Sequence, residues 1–370
     1  MAPFYGPRFG NPSSLHRWGR EARAALDEAR ERLARCVGAR ADELCFTSGG
    51  TEADNLAILG GWRARRSEGG GGGRNAVVST EIEHKAVLGA VHQAAKEGAE
   101  ERLCRVTADG VVDVASFDEL TTSDVAVVSV MWVNNEIGTI QPIETLVATA
   151  KARGALFHTD AVQAFGKVDI DAGKVAFDAL SLSGHKIGAP KGCGAIYIRR
   201  GTVLESLFHG GSQERGKRPG TENVAAAIGL AKAAELACAE REVECRRLLG
   251  LRKRLETGIR ERVADAVIHG AGAPKRAPHI VNVSVPGTDS ESMLMALDLQ
   301  GIGCSAGSAC QAGTSSPSHV LSAIGARRDL VNAAIRMSLG YMSDEASVDR
   351  VVQVFGKLVD KARGGGLAVA

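Results

Sequence analysis

Short apolar runs rich in β-branched residues alternate with stretches of helical periodicity through residue 199, and no other pattern constrains the fold more. ELCF (43–46), NAVVST (75–80), residues 103–106, VAVVSVMW (125–132), ALFHT (155–159), FDALSLS (177–183) and GAIYIR (194–199) read as strands. TSGGTEADNLAILGGWRA turns from a strand into a helix, and helical patterns follow at 84–97 and 143–153. An amphipathic helix over 16–35 precedes them all. Such alternation predicts a mostly parallel sheet covered by helices. The tract EGGGGGR (68–74) reads as a surface loop, since lengthening a loop costs little entropy.

From about residue 224 the character changes. An Ala/Glu/Arg-rich helical stretch (224–264) leads to a strand (279–285), a helix (290–299) and a Gly/Ser/Cys loop (301–316). A helix (317–324), a strand (333–339) and a last helix (345–362) complete the chain. The expected architecture is α/β: a large domain over 10–235, then a smaller C-terminal α+β domain over 236–370 joined by residues 1–9.

Composition narrows the partners. The chain has 370 residues, with 45 Lys+Arg against 43 Asp+Glu giving a formal charge of +2, so nothing favours nucleic acid or an anionic membrane. A hydrophobic share of 44% excludes wholesale disorder. No apolar run approaches the roughly 20 residues that span a bilayer. The opening MAPFYGPRFGN lacks the basic and apolar regions of a signal peptide. A soluble, cytoplasmic protein is expected. The eight cysteines, at 36, 45, 104, 193, 238, 245, 304 and 310, include no C-x-x-C pair, so a functional cysteine should act as a reduced thiol.

Ligands in open α/β sheets bind past the carboxyl ends of the strands, and four such ends carry unusual residues. Thr47-Ser48-Gly49-Gly50-Thr51-Glu52 suits a phosphate at a helix N-terminus, or is an ordinary capped turn. Asn134-Asn135-Glu136-Ile137-Gly138 either builds a tight turn or holds a polar ligand. Asp160 ends an apolar strand in HTDAVQ, where a carboxylate caps a helix or pairs with a cation, and Gln163 lies one turn on. Lys186 follows the strand FDALSLS in Ser183-Gly184-His185-Lys186, where desolvation would lower its pKa and expose a nucleophilic amine. Taken singly, each has a bland explanation. Together, a phosphate cradle, a carboxylate, amides and a Schiff-base amine meet the needs of pyridoxal 5′-phosphate. His84 would stack on the ring and move protons near neutral pH.

FTSGGTEADNLAI, TEIEHKAV, VNNEIGTIQPI, HTDAVQAFGKV, SLSGHKIGAPKGCGAIYIRR and RPGTENVAAAIGL, in that order, resemble the NifS/IscS-type cysteine desulfurases. These are fold-type I, aspartate-aminotransferase-like enzymes of the class V aminotransferase group. The likeness runs from FGNPSSLH (9–16) to IRMSLG (335–340). It implies that Lys186 forms the imine with the cofactor, Asp160 pairs with the pyridinium nitrogen and His84 stacks over the ring. Asn135 and Gln163 would contact the oxygen side of the ring, with Asn135 also near substrate. Gly50, Thr51, Ser183 and His185 would hold the phosphate, and Thr221 would reach over from the second subunit of a homodimer.

GSAC (307–310) resembles the family's nucleophile motif, which makes Cys310 the sulfur-accepting thiol. Arg336 matches the arginine expected to grip the substrate carboxylate, and Cys304 reads as structural. The implied reaction takes sulfur from L-cysteine, leaves L-alanine and a Cys310 persulfide, and passes the sulfur to an acceptor such as an iron–sulfur scaffold. Cys310 would also ligate the cluster there transiently. The Cys310 loop has the length of IscS-like members. Members ordinarily carry a short strand and an Ala-Thr-Thr segment ahead of the Phe-Gly-Asn-Pro turn. This chain starts almost at that turn, through a misassigned start or a truncation, so an edge strand of the small domain is expected to be missing. Alternatives are a selenocysteine lyase, another class V relative, or a truncated, non-catalytic cofactor-binding assembly protein.

Overall fold

A computed structural model describes residues 1–67, 73–307 and 317–364. The chain divides into two compact units. The larger comprises Met1–Cys104, Asp113–Trp132 and Pro142–Arg241; the smaller comprises Arg105–Val112, Val133–Gln141 and the chain from Glu242 onward.

Seven strands form the sheet of the larger unit: β1 Leu44–Thr47, β2 Ala76–Thr80, β3 Glu100–Cys104, β4 Val125–Ser129, β5 Leu156–Asp160, β6 Ala179–Ser183 and β7 Gly194–Ile198. They lie in the order β1-β7-β6-β5-β4-β2-β3. β7 runs antiparallel to both neighbours and the other pairings are parallel. Every residue of β2, β4, β5, β6 and β7 is buried, so β2, β4 and β7 read mainly as apolar runs, while β6 alternates leucine with serine and β5 ends in His158-Thr159-Asp160. β3 is an edge strand and keeps the polar Glu100, Glu101 and Arg102.

The core of this unit gathers Trp62, Val77, Val91, Ala126, Val127, Leu156 and Ile196. The Trp62 ring is fully buried, with its Nε1 donating to the Asn75 carbonyl at 3.2 Å. Truncating it to alanine would cost about 3–5 kcal/mol.

The smaller unit builds an antiparallel sheet, ordered β10-β9-β8, from β8 Val267–Ile268, β9 Ile280–Ser284 and β10 Ala334–Ser338. Its core joins Val281, Val283, Ile335 and Met337 to residues of three helices, including Leu255, Leu297 and Phe355. The last helix, Glu345–Arg363, opens with a reciprocal cap between Asp344 and Ser347, which satisfies two otherwise orphaned amides.

Several expectations need adjusting. The strand expected at 103–106 is β3, which starts at Glu100; Val106 instead bridges Val112. Asp113 caps an unanticipated helix, Val114–Leu120, by accepting from Ala115 and Ser116 amides. A second one, Arg328–Asn332, precedes β10. The division at 10–235 and 236–370 also differs from the units observed. Residues 1–9 belong to the larger, where the Met1 sulfur lies against Gly229. Segments 105–112 and 133–141 belong to the smaller, bound by the Val133–Ile140 and Thr139–Arg276 bridges. The long helix Val224–Arg262 runs through the boundary near 241. No helix among the described residues is long and apolar enough to cross a membrane.

Candidate active site

Because β7 alone is reversed, the carboxyl ends of β1, β2, β5 and β6 share one edge of the larger sheet. Asp160 is the last residue of β5 and Ser183 the last of β6. Gly49 and Gly50 follow β1, and His84 stands four residues past the end of β2. Topology, rather than nearness in sequence, gathers these side chains.

The helix that starts at Gly50 has no side-chain cap. Ser183 stands close by: a Cβ added to Gly49 would lie 3.8 Å from its Oγ. The Ser183 hydroxyl also pairs with His185 Nδ1 at 2.9 Å. Burial, then the positive charges of Lys186 and Lys191, lower the His185 pKa, so the ring is neutral at ordinary pH. A Cβ on Gly50 would strike Val162 Cγ2 at 2.7 Å. Packing against the segment after β5 therefore demands this glycine, in addition to any approach of a phosphate. Thr51 is exposed on the first turn. Thr221, also exposed, lines a cavity of about 180 Å³ with Thr47, Ser48, Gly192, Glu214 and Arg218.

Asp160 is only 5% exposed, and its Oδ1 accepts the Val162 amide at 2.8 Å. Burial pushes its pKa up to about 6, against the pull of that amide and of Lys186. Lys186 closes a single turn, Gly184–Lys186. The turn sits tightly on β7: Gly184 N donates to the Cys193 carbonyl at 2.9 Å, and a Cβ on Gly184 would meet Cys193 Sγ at 2.7 Å. The lysine side chain is exposed, which corrects the expectation of a desolvated amine. A strand end fixes the backbone without burying a side chain that long. His84 caps the helix Lys85–Lys96 through Nδ1, which accepts the Ala86 amide at 3.2 Å. The neutral ring consequently carries its proton on Nε2. Gln163 is half-buried beyond Asp160.

Beneath Asp160 lies a buried ionisable layer that the sequence reading passed over. His158 pairs with Ser129 Oγ through Nδ1 and with Ser181 Oγ through Nε2, both at 2.9 Å. Burial takes its pKa down to about 3. Asp54 Oδ1 is 3.7 Å from His158 Nε2. Burial and repulsion from Asp160 raise the Asp54 pKa. Glu83 accepts the Thr80 hydroxyl at 2.7 Å and the Met131 amide at 3.0 Å, and burial pushes it up to about 8. The sequence carried no signal for this layer, because burial of an ionisable residue does not show in its neighbours.

The smaller unit holds the other candidates. Asn134 Oδ1 accepts the amides of Glu136 and Ile137 at 2.9 and 3.0 Å, so this residue builds the turn. Asn135 is left with a buried Oδ1 that has no partner, which suits a ligand donor. Arg336 Nη1 donates to the Asn135 carbonyl at 2.9 Å. Cys304 packs on the core of this unit and burial pushes its thiol up to about 11, in keeping with an inert role. Cys310 lies outside the described residues.

An uncapped helix start beside a serine–histidine pair, a buried strand-end carboxyl and an accessible amine are the groups that a phosphorylated pyridine aldehyde requires. The donor set of the larger unit therefore fits pyridoxal 5′-phosphate.

Comparisons with known proteins point the same way. The aminotransferase class-V family model matches residues 1–351. Cysteine desulfurase IscS of Dictyoglomus turgidum is 42% identical over 363 residues, covering 98% of this chain and 91% of that protein. The IscS-like cysteine desulfurase of Mycobacterium tuberculosis is 44% identical over 364 residues, covering 98% and 92%. Among solved structures, a NifS-like protein superposes with a TM-score of 0.89 at 34% identity, over 97% of this chain and 94% of that one. DndA from Streptomyces lividans gives 0.78 at 36% identity, over 91% and 94%.

Proposed function

The chain belongs to the aminotransferase class-V family, within which it is a pyridoxal 5′-phosphate-dependent cysteine desulfurase, and from that premise we propose which residues carry the reaction. Gly50, Thr51, Ser183 and His185 would hold the phosphate, Asp160 would keep the ring nitrogen protonated, and Lys186 Nζ would hold the aldehyde carbon. Gln163 and Asn135 contact the oxygen side of the ring. Once bound, the cofactor withdraws electrons from the substrate Cα, which makes the Cα–H and then the Cβ–S bond breakable.

Arg336, steadied at Nη1 by the Asn135 carbonyl, grips the carboxylate of L-cysteine. Lys186 Nζ would be the base that removes the proton from the substrate Cα. His84 Nε2 is the second proton carrier, its tautomer fixed by the Ala86 amide on Nδ1. The Cys310 thiolate attacks the substrate sulfur: an S–S bond forms, Cβ–S breaks, and the carbon fragment takes up protons and leaves as L-alanine. Overall, L-cysteine and the Cys310 thiol become L-alanine and the Cys310 persulfide. An iron–sulfur scaffold is the proposed acceptor, with Cys310 a transient ligand of its cluster.

A homodimer is proposed, with Thr221 reaching the phosphate in a second copy's site. Tyr5, Phe9, Leu15 and Trp18 are 70%, 70%, 89% and 50% exposed on the single chain, apolar surface of the kind a second copy would cover. Seven free cysteines among the described residues suit the reducing cytoplasm, the compartment proposed.

The observation that carries these assignments is the placement of Asp160, Ser183 and the turn bearing Lys186 at adjoining ends of β5 and β6. The test is to load purified protein with the cofactor, add L-cysteine, and compare alanine released with sulfur added to Cys310 by mass spectrometry. Equal early yields support the assignment. Full sulfur transfer by Cys310→Ala would remove Cys310 from it.

A further inference from the structure

Glu136 is fully buried in the turn next to Asn135 and has no part in the chemistry above. Its Oε2 accepts the Ser318 hydroxyl at 2.6 Å, while its Oε1 is buried without a hydrogen-bond partner. Leaving such an oxygen unmatched costs free energy, so a return is expected elsewhere. Gly307 lies against the same carboxyl. A Cβ there would stand 3.0 Å from Oε2 and 3.5 Å from Ser318 Cβ, on a backbone with φ of 57°. Position 307 is thus glycine for two reasons, the left-handed backbone and the carboxyl that fills the space of a side chain.

These two neighbours of Glu136 are the residues on either side of the segment that carries Cys310. Both ends are fixed further. Ser305 exchanges backbone hydrogen bonds with Arg336 at 3.1 and 2.6 Å. Ser318 caps the helix His319–Ala323 by accepting the Leu321 amide at 3.1 Å. The ends of the segment therefore meet at one carboxyl group.

We propose that Glu136 is a positioning residue for the sulfur-accepting thiol, its carboxyl clamping together the two ends of the segment that bears Cys310. The inference rests on the reading of Cys310 as the nucleophile. Fixing the ends of a segment removes conformations in which a group on it is out of range, and attack on sulfur depends on that range. A carboxyl suits the place because one oxygen can take the serine donor and still lie flat on a glycine backbone. A hydrophobic side chain of equal size would leave the Ser318 hydroxyl unmatched.

The test compares Glu136→Ala, Glu136→Gln, Ser318→Ala and Cys310→Ala as full chains. In cofactor-loaded protein, exchange of the substrate α-hydrogen with deuterated solvent reads the steps that need no thiol, and persulfide on Cys310 reads the step that does. In cofactor-free protein, alkylation of Cys310 by iodoacetamide, followed by peptide mass spectrometry, reads the segment directly. Glu136→Ala is expected to lower persulfide formation relative to exchange by about tenfold, and to speed alkylation severalfold. Glu136→Gln, which keeps an acceptor oxygen, should recover most of both, and Ser318→Ala should fall between. Wild-type ratio and alkylation rate in Glu136→Ala and Ser318→Ala would overturn the clamp. Should Glu136→Ala fail to fold, Ser318→Ala alone decides on the same readouts. Alanine formation from L-cysteine at the full rate in Cys310→Ala would instead remove the reading beneath it.

Discussion

In the larger unit the functional side chains stand on or just past the ends of fully buried strands, Asp160 on β5 and Ser183 on β6, with the turn of Lys186 seated on β7. In the smaller unit Arg336 belongs to a strand, while Asn135 and Glu136 stand on the connection within 133–141. The contrast follows from two tasks. A ring that must draw electrons from the substrate needs donors held to fractions of an ångström, which stiff elements supply. The proposed sulfur-accepting thiol has a different task, and Gly307 and Ser318, which flank its segment, meet at the carboxyl of Glu136.

Separating the two tasks by mutation gives the largest expected effect. Lys186→Ala should lose α-hydrogen exchange and alanine formation together, each by at least about a thousandfold. Borohydride should then fix no cofactor to the chain. Cys310→Ala should keep exchange and lose persulfide. If both variants lost the same steps, the division of labour would be wrong.

Asp160→Asn comes next, slowing exchange by about a hundredfold because the ring nitrogen loses its carboxylate. The same change should act oppositely on the cofactor-free fold. The Asp160 pKa is about 6 in the folded chain against an ordinary 3.8, so the folded state holds its proton more tightly. Its contribution to stability is complete below about 3.8 and is lost as pH rises through about 6. At pH 8 Asp160→Asn apoprotein should accordingly melt higher than wild type, by up to about 3 kcal/mol, with the difference gone near pH 4. A lower melting point at pH 8 would contradict the burial argument.

Arg336→Lys probes the smaller unit. Losing the paired guanidinium contact should raise KM for L-cysteine about tenfold with little change in kcat. A fall in kcat alone would place Arg336 in the chemistry rather than in binding.

Glu83→Gln should have the smallest effect on the reaction, its effect falling on stability. The Glu83 pKa of about 8 lies above its ordinary 4.5, so its contribution is complete below about 4.5 and lost as pH rises through about 8. Near pH 4 the variant should melt within about 1 kcal/mol of wild type, and above pH 8 it should be the more stable of the two. Equal melting at pH 9 would show that Glu83 does not titrate there.

The order of elements was legible because short strands rich in apolar residues recur between helical stretches, and the ends of two of them stood out by carrying Asp160, Ser183 and Lys186 among small residues. Asp54, Glu83 and His158 were not legible as a buried layer, since an ionisable residue looks alike in sequence whether it faces water or protein. Nor was the membership of 105–112 and 133–141, which depends on pairing with distant residues such as Arg276. The exposure of Lys186 escaped for a related reason: local pattern fixes where a backbone goes and says little about where a long side chain ends.

The reversed strand β7 has one more consequence. Lys186 rides on the hairpin loop between β6 and β7, whose ends are held by a ladder from Ala179–Ile198 to Ser183–Gly194. The loop surfaces at Lys191 and Gly192. A protease nick there would leave the amine on a fragment still zipped to its other half, so this is where the polypeptide could be split into two complementing pieces without surrendering its colour.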